Sequence, residues 1–182
     1  IQFSLKMRLG WENASECMVL VELLNTLRLS RIALHARTGK QQYKGHPDLE
    51  AFQGFYELCQ HPLYYNGDIE SLSDIRQILT RFPLLKGVFI GRGLLSSPLL
   101  AKEFKGNETF LPEQRMSIYF AFHEELFSAY SQVLQGETQL LVKMKTLWEY
   151  FLPETDRKLL KRIKKSTRLQ QYTESVKAIF TS

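Results

Sequence analysis

The chain has 182 residues, 44% hydrophobic and 24% charged, with a formal net charge of +5. This is the balance of a folded globular protein and not of a disordered segment, and it permits a polyanionic partner. No apolar run reaches the ~18–20 residues of a membrane span, and no secretory signal pattern occurs. The two cysteines, Cys17 and Cys59, form neither a CxxC pair nor a zinc spacing. A reducing cytoplasm and no metal site are therefore expected.

The first apolar segment, residues 3–8, runs into Leu9-Gly10. Ser15 can cap a helix in which Met18, Val21, Leu24 and Leu27 recur at helical spacing. A second strand over 30–34 ends in His35-Ala36-Arg37-Thr38-Gly39. A polar loop over 37–47 leads to Asp48, a plausible cap for a helix carrying Leu49, Phe52, Phe55 and Leu58. The third strand, 63–65, ends in Asn66-Gly67-Asp68. Ser71 and Asp74 suggest a capping box ahead of Ile75, Ile78 and Leu79. Pro83 stops that helix, and the fourth strand, 86–90, ends in Gly91-Arg92-Gly93 before a helical pattern over 94–104.

The strands recur every ~25–31 residues with a helix between each pair, the rhythm of a β/α repeat. Continuous apolar strands joined by helical crossovers predict a parallel sheet. Four such units are half of an eight-stranded TIM (β/α)8 barrel. The fold expected is therefore α/β, with this half barrel over residues 1–106. After Gly106-Asn107 only helical patterns follow, over 111–135, 138–151, 154–165 and 169–180. They predict a helical bundle domain over 107–182. The chain opens on Ile1-Gln2-Phe3, already inside a strand pattern. It reads as a piece whose missing strands lie upstream, and a half barrel needs something at its open edges.

Chemistry in such folds gathers at the C-terminal ends of the strands. Lys6 and Arg8 share one strand face and suit an anionic ligand. His35 can donate to a ligand oxygen and Arg37 can fork two oxygens. Asn66-Gly67-Asp68 offers hydrogen-bonding groups around a close main-chain approach, though it also reads as an ordinary turn. Gly91-Arg92-Gly93 precedes a helix, a setting that suits phosphate. Arg157, Lys158, Lys161, Arg162, Lys164, Lys165 and Arg168 form a run without an acid. Positions 157, 161, 164, 165 and 168 fall roughly on one helical face, suited to RNA phosphates or simply to solvent. Neither cysteine sits in a thiolate-activating setting.

In series, the motifs Ser4-Leu5-Lys6-Met7-Arg8-Leu9-Gly10-Trp11, Ala33-Leu34-His35-Ala36-Arg37-Thr38, Tyr65-Asn66-Gly67-Asp68-Ile69 and Val88-Phe89-Ile90-Gly91-Arg92-Gly93 resemble the tRNA-dihydrouridine synthase family. The resemblance implies an FMN-dependent reduction of the uridine C5–C6 bond in tRNA, with NADPH as reductant. It implies that Lys6 contacts the flavin ring and that His35 assists. Asn66, Gly67, Asp68, Gly91 and Arg92 would hold the ribityl chain and phosphate. Arg8 and Arg37 would lie toward the substrate. Arg157, Lys161, Arg162, Lys164, Lys165 and Arg168 would grip tRNA. One departure stands out: the family's general-acid cysteine, in an Asn-x-x-Cys-Pro setting, is missing here. The chain alone is therefore expected to be inactive and to need the upstream half of the barrel, or an equivalent from another copy. Two competing readings are another FMN barrel oxidoreductase, such as a dihydroorotate dehydrogenase relative, and a non-catalytic tRNA-binding module.

Overall fold

Four parallel strands build the first of two compact units, residues Ile1–Gly93. They are β1 (Phe3–Gly10), β2 (Leu29–Thr38), β3 (Leu63–Asn66) and β4 (Gly87–Phe89), ordered β1-β2-β3-β4. The structure is a computed structural model that describes residues 1–181. Helices α1 (Glu16–Thr26), α2 (Leu49–Leu58) and α3 (Leu72–Arg81) connect the strands. β2 is longer than its apolar core suggests. β1 continues through Leu9-Gly10 and pairs Gly10 with Thr38, past a register shift, so His35 and Arg37 lie inside the strand.

The pleat sends alternate residues to opposite faces. On one face Ile32, Leu34, Ala36, Leu63 and Tyr65 are buried. There α1 packs on β1 and α2, and α2 packs on β2. Phe52 meets the rings of Tyr65 and Phe82 edge-on, with centroids 5.0 Å apart in both pairs. The other face carries Lys6, Arg8, His35 and Asn66.

Local chemistry sets the helix starts. Ser71 and Asp74 form the expected capping box, and Asp48 accepts from the Ala51 amide. Ser15 makes no side-chain cap. Instead the Glu16 carboxylate accepts from the amides of Trp11, Glu12 and Asn13 at 2.7–2.9 Å. These bonds hold its carboxyl below the usual range.

The second unit runs from Leu94. The helix expected over 94–104 is broken into α4 (Arg92–Ser96) and α5 (Leu100–Gly106), because Pro98 lies between them and cannot continue a helical ladder. Asn107, in the left-handed region at φ 48°, ends α5. Then come α6 (Pro112–Val133), α7 (Glu137–Leu147), α8 (Arg157–Lys165) and α9 (Leu169–Phe180). α7 stops short of Phe151. α8 starts later than Pro153 suggested, because Asp156 caps it by accepting from the amides of Lys158 and Leu159.

The core of this unit gathers Tyr119, Leu141, Met144, Trp148, Phe151, Ile163, Tyr172 and Val176. At its centre the Tyr172 hydroxyl lies 2.9 Å from Trp148 Nε1 and 2.7 Å from His123 Nε2. An indole N–H can only donate, so the hydroxyl accepts from Trp148. The Glu124 carboxylate facing His123 Nδ1 can only accept, so in the neutral ring Nε2 carries no proton and the hydroxyl donates to it. That makes His123 Nε2 an acceptor and leaves the ring proton on Nδ1, which donates to Glu124 at 3.1 Å. Burial holds the ring neutral. Tyr172→Phe removes the acceptor for one buried group and the donor for another. Urea unfolding of this variant should show a loss of about 2–6 kcal/mol, from about 1–3 kcal/mol for each of the two unmatched groups. A loss under about 0.5 kcal/mol would show that the hydroxyl is not the hub.

Candidate active site

The parallel register aligns the polar face. Arg8 pairs with His35, His35 with Asn66, and Asn66 with Phe89. Four consecutive strands thus place these side chains in one row near their C-terminal ends. The Asn66 side chain donates to the Phe89 carbonyl at 2.9 Å and ties β3 to β4. A cavity of about 290 Å³ opens over this row, close to the ~300 Å³ lower bound of small-molecule sites. Lys6, Arg8, His35, Asn66, Gly67, Asp68, Gly91 and Arg92 all line it. So do Tyr43, Glu70, Phe89, Ile90 and Gly93.

The loop after β4 is shaped for close approach. A Cβ at Gly93 would sit 2.0 Å from the Ile69 carbonyl oxygen, so only glycine fits there. Gly91 has nothing within 4 Å of such a Cβ, which leaves its main chain open to the cavity.

Arg37 does not line the cavity. Its side chain is 1% exposed. Nη1 and Nη2 donate to the two Asp68 carboxylate oxygens at 2.7 and 2.5 Å, and Nη2 also donates to the Gly45 carbonyl at 2.7 Å. The expected substrate contact therefore gives way to a buried fork, which pulls the Asp68 carboxyl below its usual range. Asp68 also accepts from Arg92 at 3.0 Å. Arg8 donates to the carbonyls of Thr38 at 2.7 Å and Gln42 at 3.2 Å. Among the described residues Lys6 has no hydrogen-bond or ion-pair partner, and its side chain lines the cavity.

Tyr43 was not singled out from the sequence. It is the one aromatic residue in the polar 37–47 loop, and that was its only signal. The Arg92 guanidinium lies 4.7 Å and that of Arg8 5.8 Å from its ring centroid.

In the second unit the basic run splits. Lys158, Lys161, Arg162 and Lys165 line one groove of about 400 Å³ with Gln171, Glu174 and Ser175 of α9. These four follow i, i+3, i+4, i+7 spacing, opposite buried Ile163. Lys158 thus joins the expected set. Arg157 and Lys164 are exposed outside the groove, and Arg168 lies beyond α8 as the N-cap of α9. The expected single face including residue 168 is not formed, because the chain turns at Ser166.

His35 is 6% exposed. Burial first, then the charges of Arg8, Lys6 and Arg37, lower its pKa to about 4. Unfolded histidine binds a proton near 6.5. Below that pH the unfolded state takes up a proton that the fold refuses. The stability supplied by neutral His35 is complete above about pH 6.5 and falls as pH drops toward 4. Urea unfolding at pH 7 and pH 5 should show a smaller loss for His35→Gln than for the parent chain. Equal losses would show that His35 titrates normally.

Around one cavity stand the Lys6 ammonium, a neutral imidazole, a carboxamide, an open main chain and two arginines, a donor set that fits an anionic, hydrogen-bonding ligand. A family model described as dihydrouridine synthase matches residues 1–181. A probable tRNA-dihydrouridine synthase of Aquifex aeolicus (strain VF5) is 36% identical over 105 residues, covering 58% of this chain and 33% of that protein. One from Rhizobium leguminosarum bv. phaseoli is 35% identical over 99 residues, covering 54% and 31%. The tRNA-dihydrouridine(16) synthase of Escherichia coli (strain K12) is 28% identical over 110 residues, covering 60% and 35%. The chain spans about a third of the length of these relatives. With the strand-end motifs in series and the match running from end to end, the chain belongs to the dihydrouridine synthase family.

Proposed function

We propose that this chain is the flavin-holding half of a (β/α)8 barrel with its tRNA-binding helical domain, part of an FMN- and NADPH-dependent tRNA-dihydrouridine synthase. The observation that carries this reading is the single cavity lined by Lys6, His35, Asn66, Gly67, Asp68, Gly91 and Arg92. The chemistry supplied by a bound FMN is two-electron: hydride taken from NADPH and passed to the uridine C5–C6 bond. Lys6 would set a positive charge against the ring, where it favours electron-rich forms. Neutral His35 has one N–H to donate and one lone pair to accept with. Asn66 and the Gly91–Gly93 main chain would hold the polar tail, with Arg92 neutralising phosphate.

Neither cysteine belongs to the cavity lining. Burial pushes both thiols up, and both suit packing better than proton donation. The acid that protonates the base therefore comes from outside this set of residues. β1 has an unpaired edge among the described residues, and α1, which packs on β1, leaves Val19, Leu20 and Leu23 exposed. This is the surface on which an upstream barrel half, or its equivalent from another copy, would close. No helix among the described residues is long and apolar enough to cross a membrane.

The α8–α9 groove would meet RNA phosphates, while the uridine is flipped toward the cavity. Reversing Lys161, Arg162 and Lys165 to Glu should weaken tRNA binding at least tenfold and flatten its salt dependence, since each lost phosphate contact lowers the slope by about 0.7–0.9. Filter binding at two salt concentrations measures this. Unchanged affinity would move the tRNA surface elsewhere. The isolated chain, given FMN, NADPH and unmodified tRNA, should form no dihydrouridine. Robust turnover would refute the divided barrel.

A further inference from the structure

Arg37, expected at the substrate, does not line the site cavity, yet its bonds reach two parts of the cavity mouth. One hand of its guanidinium holds Asp68 by both oxygens, and Asp68 in turn holds Arg92. The other bond holds the Gly45 carbonyl, which lies in the loop that carries Tyr43. Arg92 then closes over the Tyr43 ring at 4.7 Å. The contacts form a circuit: Arg37, Asp68, Arg92, Tyr43, the loop to Gly45, and back to Arg37.

The loop needs this fastening. It turns through the left-handed region at Gln42 and Gly45, with φ of 53° and 62°. For Gln42 that is an unfavourable conformation that its surroundings must hold in place. Tyr43 is 62% exposed, so packing does not fix it. Other ties are Arg8, through the Thr38 and Gln42 carbonyls, the Gln41 side chain, which donates to the Lys44 and His46 carbonyls, and the Gly39 and Lys40 amides, bonded to the carbonyls of Gly10 and Trp11. None of these reaches Asp68 or Arg92.

We propose that Arg37 is a positioning residue for the cavity: by clamping Asp68 and Gly45 together it fixes Tyr43 and Arg92 as a preformed mouth for the ligand. The ligand class, an anionic flavin nucleotide, rests on the function proposed above. The clamp itself does not. Lysine keeps the charge of Arg37 but presents one nitrogen where the fork needs two, plus the Gly45 bond.

The test uses the whole 182-residue chain. The amides of Gln42 and Lys44, bonded to the carbonyls of Gly39 and Gln41, report the loop by hydrogen exchange. Arg37→Lys should speed exchange at these two about tenfold or more, while the Ile32 and Leu34 amides in β2 change by a smaller factor. FMN affinity is then measured by fluorescence quenching. Arg37→Lys and Tyr43→Ala should each weaken it about tenfold, and the double variant should be little weaker than either, because both remove the same arrangement. Unchanged exchange at Gln42 and Lys44, an equal rise throughout β2, or additive affinity losses would each overturn the proposal. If the parent chain does not bind FMN, the flavin reading fails, and the exchange measurement alone decides the clamp.

Discussion

The site depends on one geometric constraint: four parallel strands held in register. Because side chains alternate across a strand, register alone decides which residues meet. Arg8, His35, Asn66 and Phe89 are paired in sequence across the sheet, so side chains far apart in the chain share one row. The same alternation sends Ile32, Leu34, Leu63 and Tyr65 to the helix-covered face. A slip of one residue in β2 would bury His35 among the rings of α2 and empty the cavity of its imidazole. The apolar packing of Phe52, Tyr65 and Phe82 therefore protects the polar row as well as the core.

Electrostatics then gives each polar residue a different task. Lys6, Arg8 and Arg92 keep the cavity positive. Burial first, then the charges of Arg8, Lys6 and Arg37, hold His35 neutral, so the histidine serves as a hydrogen-bonding group and adds no further charge. Of the two carboxylates in the cavity lining, Asp68 and Glu70, Asp68 is matched by Arg37 and Arg92. A buried arginine with a partly exposed aspartate is costly to break, since removing one partner leaves the other charge unmatched. That cost is what lets the pair hold the rim in one arrangement.

Much of this was legible in the sequence, for physical reasons. The β/α rhythm, the strand ends and the Ser71–Asp74 cap depend on local patterns, and the structure carries them. That Lys6, His35 and Asn66 line one cavity agrees with the rule that strand ends gather chemistry. Other features depend on contacts between distant segments and left little local trace. The extension of β2 through Thr38 requires its partner Gly10. Arg37 looked like a ligand contact because nothing in its neighbourhood reveals Asp68 as its partner. Tyr43 sat in a loop with no periodicity to mark it. The helix expected over 94–104 has apolar residues at helical spacing, but Pro98 has no N–H to continue the ladder and divides it. On α8 the groove-forming row, with Lys158 in and Arg168 out, was set by where the chain turns at Ser166.

The central claim is that the polar row of the sheet is a flavin nucleotide site built by this chain. Amide chemical-shift mapping with FMN tests it most directly. The account predicts that the shifted amides cluster at Lys6–Arg8, His35, Asn66–Asp68 and Phe89–Gly93, with the helical unit unmoved. Shifts confined to the α8–α9 groove, or no shifts at saturating FMN, would contradict it.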